Sequence, residues 1–435
     1  MDLLYFFAYL NYRLGIPTAI ILLAVAFYFT LRLKFIQIRG LPRFIHLIIY
    51  GIKAQKKDPQ MKTINPFHAL FTAMSTSLGI GTIIGPSVAI IMGGPGALFW
   101  LGAYSLCASV TKFAEVTFAV HFREETDEGL ILGGPMQYLN KVNRFLGRWY
   151  AYATMILFAG WSGLQSNVLA ETLSQESIPE WLTGIIISVI VFIMLCGGAK
   201  RIGAFSSKLV PIMSILYISI GCFILAKNYL ILGDILNEIF TRAFLPTSAI
   251  GGFTGASVIH AIRSGVYKGA YITESGMGTA AIPHSIANVD HPTDQGILAM
   301  VSVFADTALC ILSGFLILTS NFWKIGYVSN ILMYKVFQHN LPVFGRPILL
   351  ITIFLFGIGT IIGNSFNGRQ SFASITRYRY LYIYYFFVCF IIFFGAIADV
   401  PLVWAIIETL LPLVAIPNVL SLIYLSIKYK NVLKI

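Results

Sequence analysis

The hydrophobic residues fall in long runs separated by short segments that carry most of the charged residues. About 20 consecutive apolar residues suffice for a helix to cross the hydrocarbon core of a bilayer. The pattern therefore predicts an all-α polytopic membrane protein with about eleven transmembrane helices. Their approximate bounds are 15–33, 67–91, 96–121, 149–170, 182–198, 206–226, 246–264, 293–319, 346–366, 380–398 and 402–427. The segment 321–345 falls short of a full span and is predicted to be a loop or an interfacial helix.

The second of these spans lies in NPFHALFTAMSTSLGIGTIIGPSVAIIMGGPG, residues 65–96, and its middle is poorly suited to a helix. Gly79, Gly81 and Gly85 are followed by Pro86; relative to alanine, glycine costs a helix about 1 kcal/mol and an interior proline about 3. Hydrocarbon offers no partner for a freed N–H or C=O, so breakers at mid-depth predict an opened helix that faces a polar ligand. The alternative is a kinked helix that packs closely against its neighbours through small residues.

Composition supports the membrane class, because 57% of the 435 residues are hydrophobic and only 11% are charged. A soluble domain has about a quarter of its residues charged. The formal net charge is 30 − 18 = +12, and the positive-inside rule accounts for it without nucleic-acid binding. The basic loops place the N-terminus outside and the C-terminus in the cytoplasm. We expect the inner (plasma) membrane of a bacterium.

A second glycine-rich stretch, AIGGFTGASVIHAIRSG, places Gly251, Gly252 and Gly255 in the outer half of the span near 246–264. This span enters the membrane from the side opposite to the first broken span. Paired glycine-interrupted spans in two halves of a chain indicate an inverted repeat with a binding site at the midplane. The predicted units are an extra N-terminal helix at 15–33, a first five-helix repeat at 67–226 and a second at 246–427, all in one membrane transport domain, 1–435.

A zwitterionic amino acid needs donors for its carboxylate and acceptors for its ammonium group. Unwound backbone at 79–82 and helix N-termini, which carry partial positive charge, can bind the carboxylate. Carbonyls freed around Gly251, Gly252 and Gly255 can bind the ammonium group. The predicted substrate-binding residues are Ser77, Gly79, Gly81, Thr82, Gln165, Gly251, Gly252, Gly255, Thr360 and Asn364. For each lone polar side chain the alternative is an interhelical hydrogen bond, worth under about 1 kcal/mol.

Three carboxyl groups, those of Glu115, Asp306 and Glu408, lie inside predicted spans. A charge at mid-membrane costs about 2.5–3.5 kcal/mol on the insertion scale, so each is a candidate cation ligand or proton carrier. For Glu115 we favour a simple pairing with Lys112, three residues earlier. If the coupling ion is a proton, Asp306 or Glu408 is the predicted carrier.

Several motifs resemble one known family over nearly the whole chain and in unbroken order. They are GGPGALFW (93–100), TKFAEVTFAVHFR (111–123), GGPM (133–136), GGAKRIGAFSSKLVP (197–211), RSGVYKGAYITESGMGTAAIPHS (263–285), DHPTDQGILAMVSVFADT (290–307) and LVWAIIETLLPLVAIPN (402–418). The chain thus resembles the alanine or glycine:cation symporter family, also called the sodium:alanine symporter family. The resemblance implies the leucine-transporter-like 5+5 inverted-repeat fold and sodium-driven uptake of small neutral amino acids, alanine and glycine above all.

The chain departs from this family at its first, sixth and eighth core helices. The family's Gly-x-Gly-Asn is Gly-Ile-Gly-Thr at 79–82, and its two adjacent threonines followed by Gly-Trp are replaced by Gly-Thr-Ile-Ile-Gly-Asn at 359–364. The family's Ser-Asn-Glu-Ala is Ile-Thr-Glu-Ser at 272–275. The sodium ligands that the resemblance implies are Leu78, Gly81 and Thr360. One hydroxyl is lost, which leaves the identity of the ion open, and the lost tryptophan leaves room for a larger substrate side chain.

Other functions stay open beside sodium-coupled symport. They are proton-coupled or uncoupled transport of amino acids with an altered substrate range, a channel, and a non-transporting sensor. No reactive pair such as HExxH favours an enzyme. The expected partners are a small neutral amino acid, Na⁺ or H⁺ and the lipid bilayer, with no nucleic acid and no cofactor besides Na⁺ as the coupling ion.

Overall fold

Nearly all of the chain that the computed structural model describes, residues 3–52, 62–244, 258–325, 329–398 and 400–434, is helical. The helices are α1 (Leu3–Arg32), α2 (Ile36–Arg39), α3 (Leu41–Tyr50), α4 (Pro66–Ser77), α5 (Ile80–Gly93), α6 (Gly96–His121), α7 (Pro135–Asn140), α8 (Arg144–Ser174), α9 (Glu180–Cys196), α10 (Gly198–Lys227), α11 (Leu232–Phe244), α12 (Val258–Thr273), α13 (Ala281–Ser285), α14 (Pro292–Ser320), α15 (Ser329–Asn340), α16 (Gly345–Thr376), α17 (Leu381–Ile397) and α18 (Val400–Lys428). Two short antiparallel strands, β1 (Glu124–Glu125) and β2 (Ile131–Leu132), lie between α6 and α7.

Ten of the eleven predicted spans overlap a helix or, for the second span, the bent pair α4 and α5. Of the remaining span, 246–264, the structure describes only residues 258–264, which begin α12. By length and apolar composition, six helices of the described ranges can cross a membrane, namely α1, α6, α10, α14, α16 and α18. The pair α4 and α5 adds a seventh span if it is counted as one, while α9 and α17 are apolar but shorter. The number of crossings, eleven, therefore stays a prediction.

The helices pack in two main groups, and α4 and α5 lie between them. In the first group α6 packs against α12 and α14, and in the second α8 packs against α16 and α17. α1 packs on the outside against α18 and α6. Small residues allow close approach at these contacts: a Cβ on Gly395 of α17 would lie 2.5 Å from the Gly163 carbonyl oxygen of α8.

The segment predicted to be a loop or an interfacial helix contains α15, preceded by a 3₁₀ turn at Phe322–Ile325. Leu332, Met333, Val336 and Phe337 are buried, and α15 packs against α16 and α5. Of the two predicted forms, the helix is therefore the one that is found.

Candidate functional site

The predicted break in the first core helix lies where the glycine residues placed it. α4 ends at Ser77 and α5 begins at Ile80, and the two helices are bent by 41°. Gly79, which precedes α5, is extended with φ −105° and ψ −169°. The Thr82 hydroxyl donates a hydrogen bond to the Ser77 carbonyl at 3.1 Å, which closes the break from the α5 side.

A pocket opens at this break, between α4 and α5, the middle of α8, the end of α12 and the middle of α16. Its empty volume is about 330 Å³, part of which is open to solvent. The lining residues are Thr76, Ser77, Gly79, Gly81, Trp161, Gln165, Tyr271, Ile272, Glu274, Thr360 and Asn364. Five helices from four separate parts of the sequence thus contribute to one polar pocket.

Six of the ten predicted substrate-binding residues line this pocket, namely Ser77, Gly79, Gly81, Gln165, Thr360 and Asn364. Thr82 lines no part of it, because its hydroxyl faces Ser77 within the break. Gly251, Gly252 and Gly255 lie outside the described residues.

Two side chains connect the break to the opposite helices. The Gln165 side-chain carbonyl of α8 accepts a hydrogen bond from the Ile80 N–H at 3.3 Å, so it satisfies one of the free N–H groups at the start of α5. The Thr360 hydroxyl of α16 lies 3.3 Å from the Leu78 carbonyl oxygen and 2.9 Å from the Phe356 carbonyl oxygen. Two of the predicted sodium ligands, the Leu78 carbonyl oxygen and the Thr360 hydroxyl oxygen, therefore lie next to each other.

The sequence did not single out the aromatic wall of the pocket. The Trp161 and Tyr271 rings meet edge to face with centroids 5.6 Å apart, and Tyr271 lies 6.0 Å from Trp404. Trp161 of α8 and Asn364 of α16 both line the pocket. A tryptophan four residues before Gln165 was the available signal, but such a residue is equally common at a lipid-facing position.

Two buried polar atoms of the pocket have no hydrogen-bond partner among the described residues. They are the Trp161 indole Nε1, which can only donate, and the Asn364 side-chain oxygen Oδ1, which can only accept. A buried polar group left unpaired costs about 1–3 kcal/mol. A ligand that offers both an acceptor and a donor can satisfy them together.

A second irregular segment borders the pocket at 274–280, directly after α12. Glu274, Gly276 and Gly278 have φ of 54°, 93° and 80°, in the left-handed region that favours glycine. The Tyr104 hydroxyl donates to the Ser275 carbonyl at 2.9 Å, and the Tyr150 hydroxyl donates to the Met277 carbonyl at 2.6 Å. The hydroxyl groups of two buried tyrosines thus donate hydrogen bonds to carbonyl groups that have no partner within a helix.

The predicted end of the seventh span, near residue 264, was wrong, because α12 continues to Thr273. Arg263 and Lys268 lie at and just after that predicted end. Both line a second cavity of about 550 Å³ together with Met92, at the end of α5 that is predicted to lie outside. Lys268 is tolerated there because its amino group lies 3.1 Å from a carboxyl oxygen of Glu408.

The Lys268–Glu408 ion pair lies against the aromatic wall. The Lys268 amino group sits 5.6 Å from the Tyr271 ring centroid and 5.4 Å from that of Trp404. Tyr271 lines the first pocket, whereas Lys268 and Glu408 line the second cavity. The pocket is therefore covered on this side by an ion pair stacked on aromatic rings.

The other two charged candidates lie deeper and are fully buried. The Lys112 amino group donates to the Thr273 carbonyl at 2.9 Å and lies 3.8 Å from an Asp306 carboxyl oxygen. The favoured pairing of Lys112 with Glu115 was therefore wrong: Glu115 accepts a hydrogen bond from the Asn418 side-chain amide at 2.7 Å. Lys112 instead joins the end of α12 to α14.

A family model described as the sodium:alanine symporter family matches residues 5–435. An uncharacterized transporter of Haemophilus influenzae is 33% identical, over 94% of this chain and 90% of the relative. The sodium/alanine symporter AgcS of Methanococcus maripaludis is 30% identical over 94% and 91%. The probable sodium/glutamine symporter GlnT of Bacillus subtilis is 30% identical over 94% and 85%.

Solved structures of transporters share the fold. MhsT in complex with L-phenylalanine superposes with a TM-score of 0.62 at 14% identity, over 85% of this chain and 90% of that chain. A Na⁺-coupled sialic acid symporter in a substrate-bound outward-open state gives a TM-score of 0.54 at 12% identity, over 97% and 83%. The leucine-transporter-like fold expected from the sequence is confirmed.

Proposed function

The chain belongs to the sodium:alanine symporter family, and on that premise we propose that it couples entry of a small neutral amino acid to entry of Na⁺. Alanine and glycine are the first candidates. The observation that carries the proposal is the pair of unpartnered polar atoms in the pocket, Trp161 Nε1 and Asn364 Oδ1. One suits the carboxylate and the other the ammonium group of a zwitterion.

The carboxylate has a second favourable partner in the start of α5. The helix begins at Ile80 and Gly81 lines the pocket, so the partial positive charge of its N-terminus faces the ligand. The side chain of the substrate then lies toward Trp161 and Tyr271. Because Trp161, Tyr271 and Ile272 line this part of the pocket with large side chains, a small substrate side chain fits best.

The sodium ion would bind beside the substrate, between the break and α16. The Leu78 carbonyl and the Thr360 hydroxyl are already 3.3 Å apart, and the Gly81 carbonyl is the third proposed ligand. Hard cations prefer oxygen ligands of this kind. An ion at this point would bridge α4 and α16, so that its binding and the closure of the pocket favour each other.

Transport then requires alternating access to the pocket from the two sides of the membrane. On the outer side, opening would separate Lys268 from Glu408 and tilt Tyr271 away from Trp161. On the inner side, opening would move the segment 274–280. We place the N-terminus outside, the C-terminus in the cytoplasm, and the two repeats at 67–226 and 246–427.

The test is uptake into proteoliposomes that contain the purified full chain. Radiolabelled alanine, glycine, serine, glutamine and phenylalanine are compared under an inward sodium gradient, an inward proton gradient and neither gradient. We expect saturable accumulation of alanine or glycine that needs the sodium gradient. Accumulation driven only by protons would move the coupling role to Asp306, whose carboxyl oxygens accept no hydrogen bond in the described chain.

One variant and its matched control localise the ion. Thr360→Ala removes the hydroxyl at the break, and we expect loss of the sodium dependence. Thr352 lies two turns earlier on α16, and its hydroxyl donates only to Ile348 of its own helix at 2.7 Å. Thr352→Ala should leave sodium-dependent uptake unchanged. Equal sodium dependence of the two variants would refute the proposed ion site.

A further inference from the structure

A third cavity lies far from the transport pocket, where the ends of α1 and α18 meet the helix α2. Its empty volume is about 1140 Å³, part of it open to the surroundings. Five basic side chains line it, namely Arg32, Lys34, Arg39, Lys430 and Lys434. On the proposed orientation this cavity faces the cytoplasm.

Among the described residues, no acidic side chain pairs with these five cations. No Asp or Glu lines the cavity, the sequence has none between residues 3 and 57, and it has none after Glu408. Within the described ranges, none of the five forms a salt bridge. Arg32 is fixed in place, since its guanidinium donates to the Ser426 carbonyl at 2.6 Å. Five like charges around one cavity favour binding of an anion.

The chain that follows α1 shows at what depth the cavity lies. Lys34 and Phe35 have φ of 52° and 55°, a left-handed conformation that costs non-glycine residues about 1–3 kcal/mol each. This turn ends the spanning helix and directs α2 and α3 away from it. With 4 and 10 residues, α2 and α3 are too short to cross a bilayer.

An apolar stripe runs along the outer side of these two short helices. Ile38, Leu41, Ile45, Ile48 and Ile49 recur at helical spacing, and each is between 48% and 67% exposed. The opposite side of α3 is held to the protein, since Leu47 is buried. Short helices with one apolar side lie in the plane of the membrane interface, with that side in the acyl chains.

The cavity is therefore lined by basic side chains and lies at the level of the lipid headgroups. Leu33, Ile36 and Leu433 line its walls beside the cations, and Ile36 and Leu433 are buried. A free anion would use only the charges, whereas a phospholipid would use the charges and the apolar walls together. Basic pockets between membrane helices on the cytoplasmic side are typical of anionic headgroups.

We propose that this cavity binds the headgroup of an anionic phospholipid, with the acyl chains along Leu33 and the exposed side of α2. The number of cations favours a headgroup with two phosphodiester groups over one with a single phosphodiester. The phosphates are held by Arg39, Lys430 and Lys434, while Arg32 closes the inner end of the cavity. The inference does not depend on which substrate or ion the protein transports.

The test is native mass spectrometry of the full chain in detergent, titrated separately with cardiolipin, phosphatidylglycerol, phosphatidylcholine and inorganic phosphate. We expect binding in the order cardiolipin, phosphatidylglycerol, phosphatidylcholine. The variant Arg39→Gln/Lys430→Gln/Lys434→Gln should bind cardiolipin about 100-fold more weakly, given the usual contribution of each cation near an anionic surface. Inorganic phosphate should not displace the lipid.

The matched control, Lys200→Gln/Lys208→Gln/Arg379→Gln, removes three charges from exposed positions outside the cavity and should keep full cardiolipin affinity. Equal weakening in both triple variants would mean that only net charge matters and would overturn the proposal. Displacement of cardiolipin by inorganic phosphate would overturn it as well, in favour of a site for free anions. If the first variant does not fold, Lys430→Gln/Lys434→Gln lies beyond α18 and should weaken binding about 30-fold.

Discussion

The proposed ion site makes a sharp prediction for Gly79, because this residue touches Thr360. A Cβ added at Gly79 would lie 2.6 Å from the Thr360 hydroxyl oxygen and 3.0 Å from its Cγ2. Ordinary contact begins at 3.4 Å, so the hydroxyl would have to retreat by 3.4 − 2.6 = 0.8 Å. The backbone of Gly79 is extended and suits alanine, so the whole perturbation falls on Thr360.

The expected cost of Gly79→Ala follows from overpacking of a tight contact. Inserting a methyl group into a packed site costs about 1–3 kcal/mol. If the cost appears as displacement of a sodium ligand, the apparent sodium affinity falls about 5- to 150-fold, at 1.4 kcal/mol per factor of ten. Thr360 has little freedom to turn away, because it is β-branched and its hydroxyl also bonds to Phe356.

The assay measures alanine uptake into proteoliposomes against sodium concentration, with the thermal unfolding midpoint determined in parallel. The double variant Gly79→Ala/Thr360→Ala removes the two closest atoms, Oγ1 and Cγ2 of Thr360. It should regain most of the thermal stability without regaining sodium dependence. Gly102→Ala is the control, because its added Cβ meets only Ile311 Cδ1, at 3.6 Å. An unchanged sodium dependence and midpoint in Gly79→Ala would refute the reasoning.

Three further predictions concern the walls and the charges of the site. Trp161→Ala enlarges the pocket and should raise the kcat/KM ratio of glutamine to alanine at least 10-fold in competition assays, in line with discrimination by pocket size. Lys112→Met leaves Asp306 buried without its cation at a cost of about 3–5 kcal/mol, so the unfolding midpoint should fall, and adding Asp306→Asn should restore most of it. Lys268→Gln breaks the outer ion pair and should speed labelling of a Ser77→Cys variant by an impermeant thiol reagent; an unchanged rate would contradict its role as a cover.

Sequence reasoning located the first break because its signal is local. Glycines and a proline inside an apolar run disfavour the helix there whatever surrounds it, and the bend between Ser77 and Ile80 follows. The residues that line the pocket near the break were found for the same reason. The contribution of α16 to the pocket was also predictable, because Thr360 and Asn364 are polar residues one helical turn apart in an apolar run.

The rest depended on contacts between distant parts of the chain. The predicted span near 246–264 ended before Lys268, because an unpaired lysine is unfavourable inside a membrane. Its partner, Glu408, lies 140 residues later, so the sequence around Lys268 contains no sign of the ion pair. Lys112 seemed to belong to Glu115 by spacing, but Asp306 of α14 lies within 4 Å of it only after folding. The sequence signals at Tyr271 and Trp161 were too weak to assign them to the pocket, since aromatic residues in membrane helices also face lipid. Which buried charges form ion pairs depends on how the helices pack, not on which residues are close in sequence.

The two tyrosines that hold the segment 274–280 come from different packing groups. Tyr104 belongs to α6, which packs against α12, and Tyr150 belongs to α8, which packs against α16. If the two groups rotate apart, the hydrogen bond from Tyr104 to Ser275 can travel with its group, whereas the bond from Tyr150 to Met277 has to break. Each transport cycle would then include one step in which the hydrogen bond from Tyr150 to Met277 breaks, and this loss adds to the activation enthalpy of that step. Cooling should therefore slow this step more than it slows diffusion of the substrate.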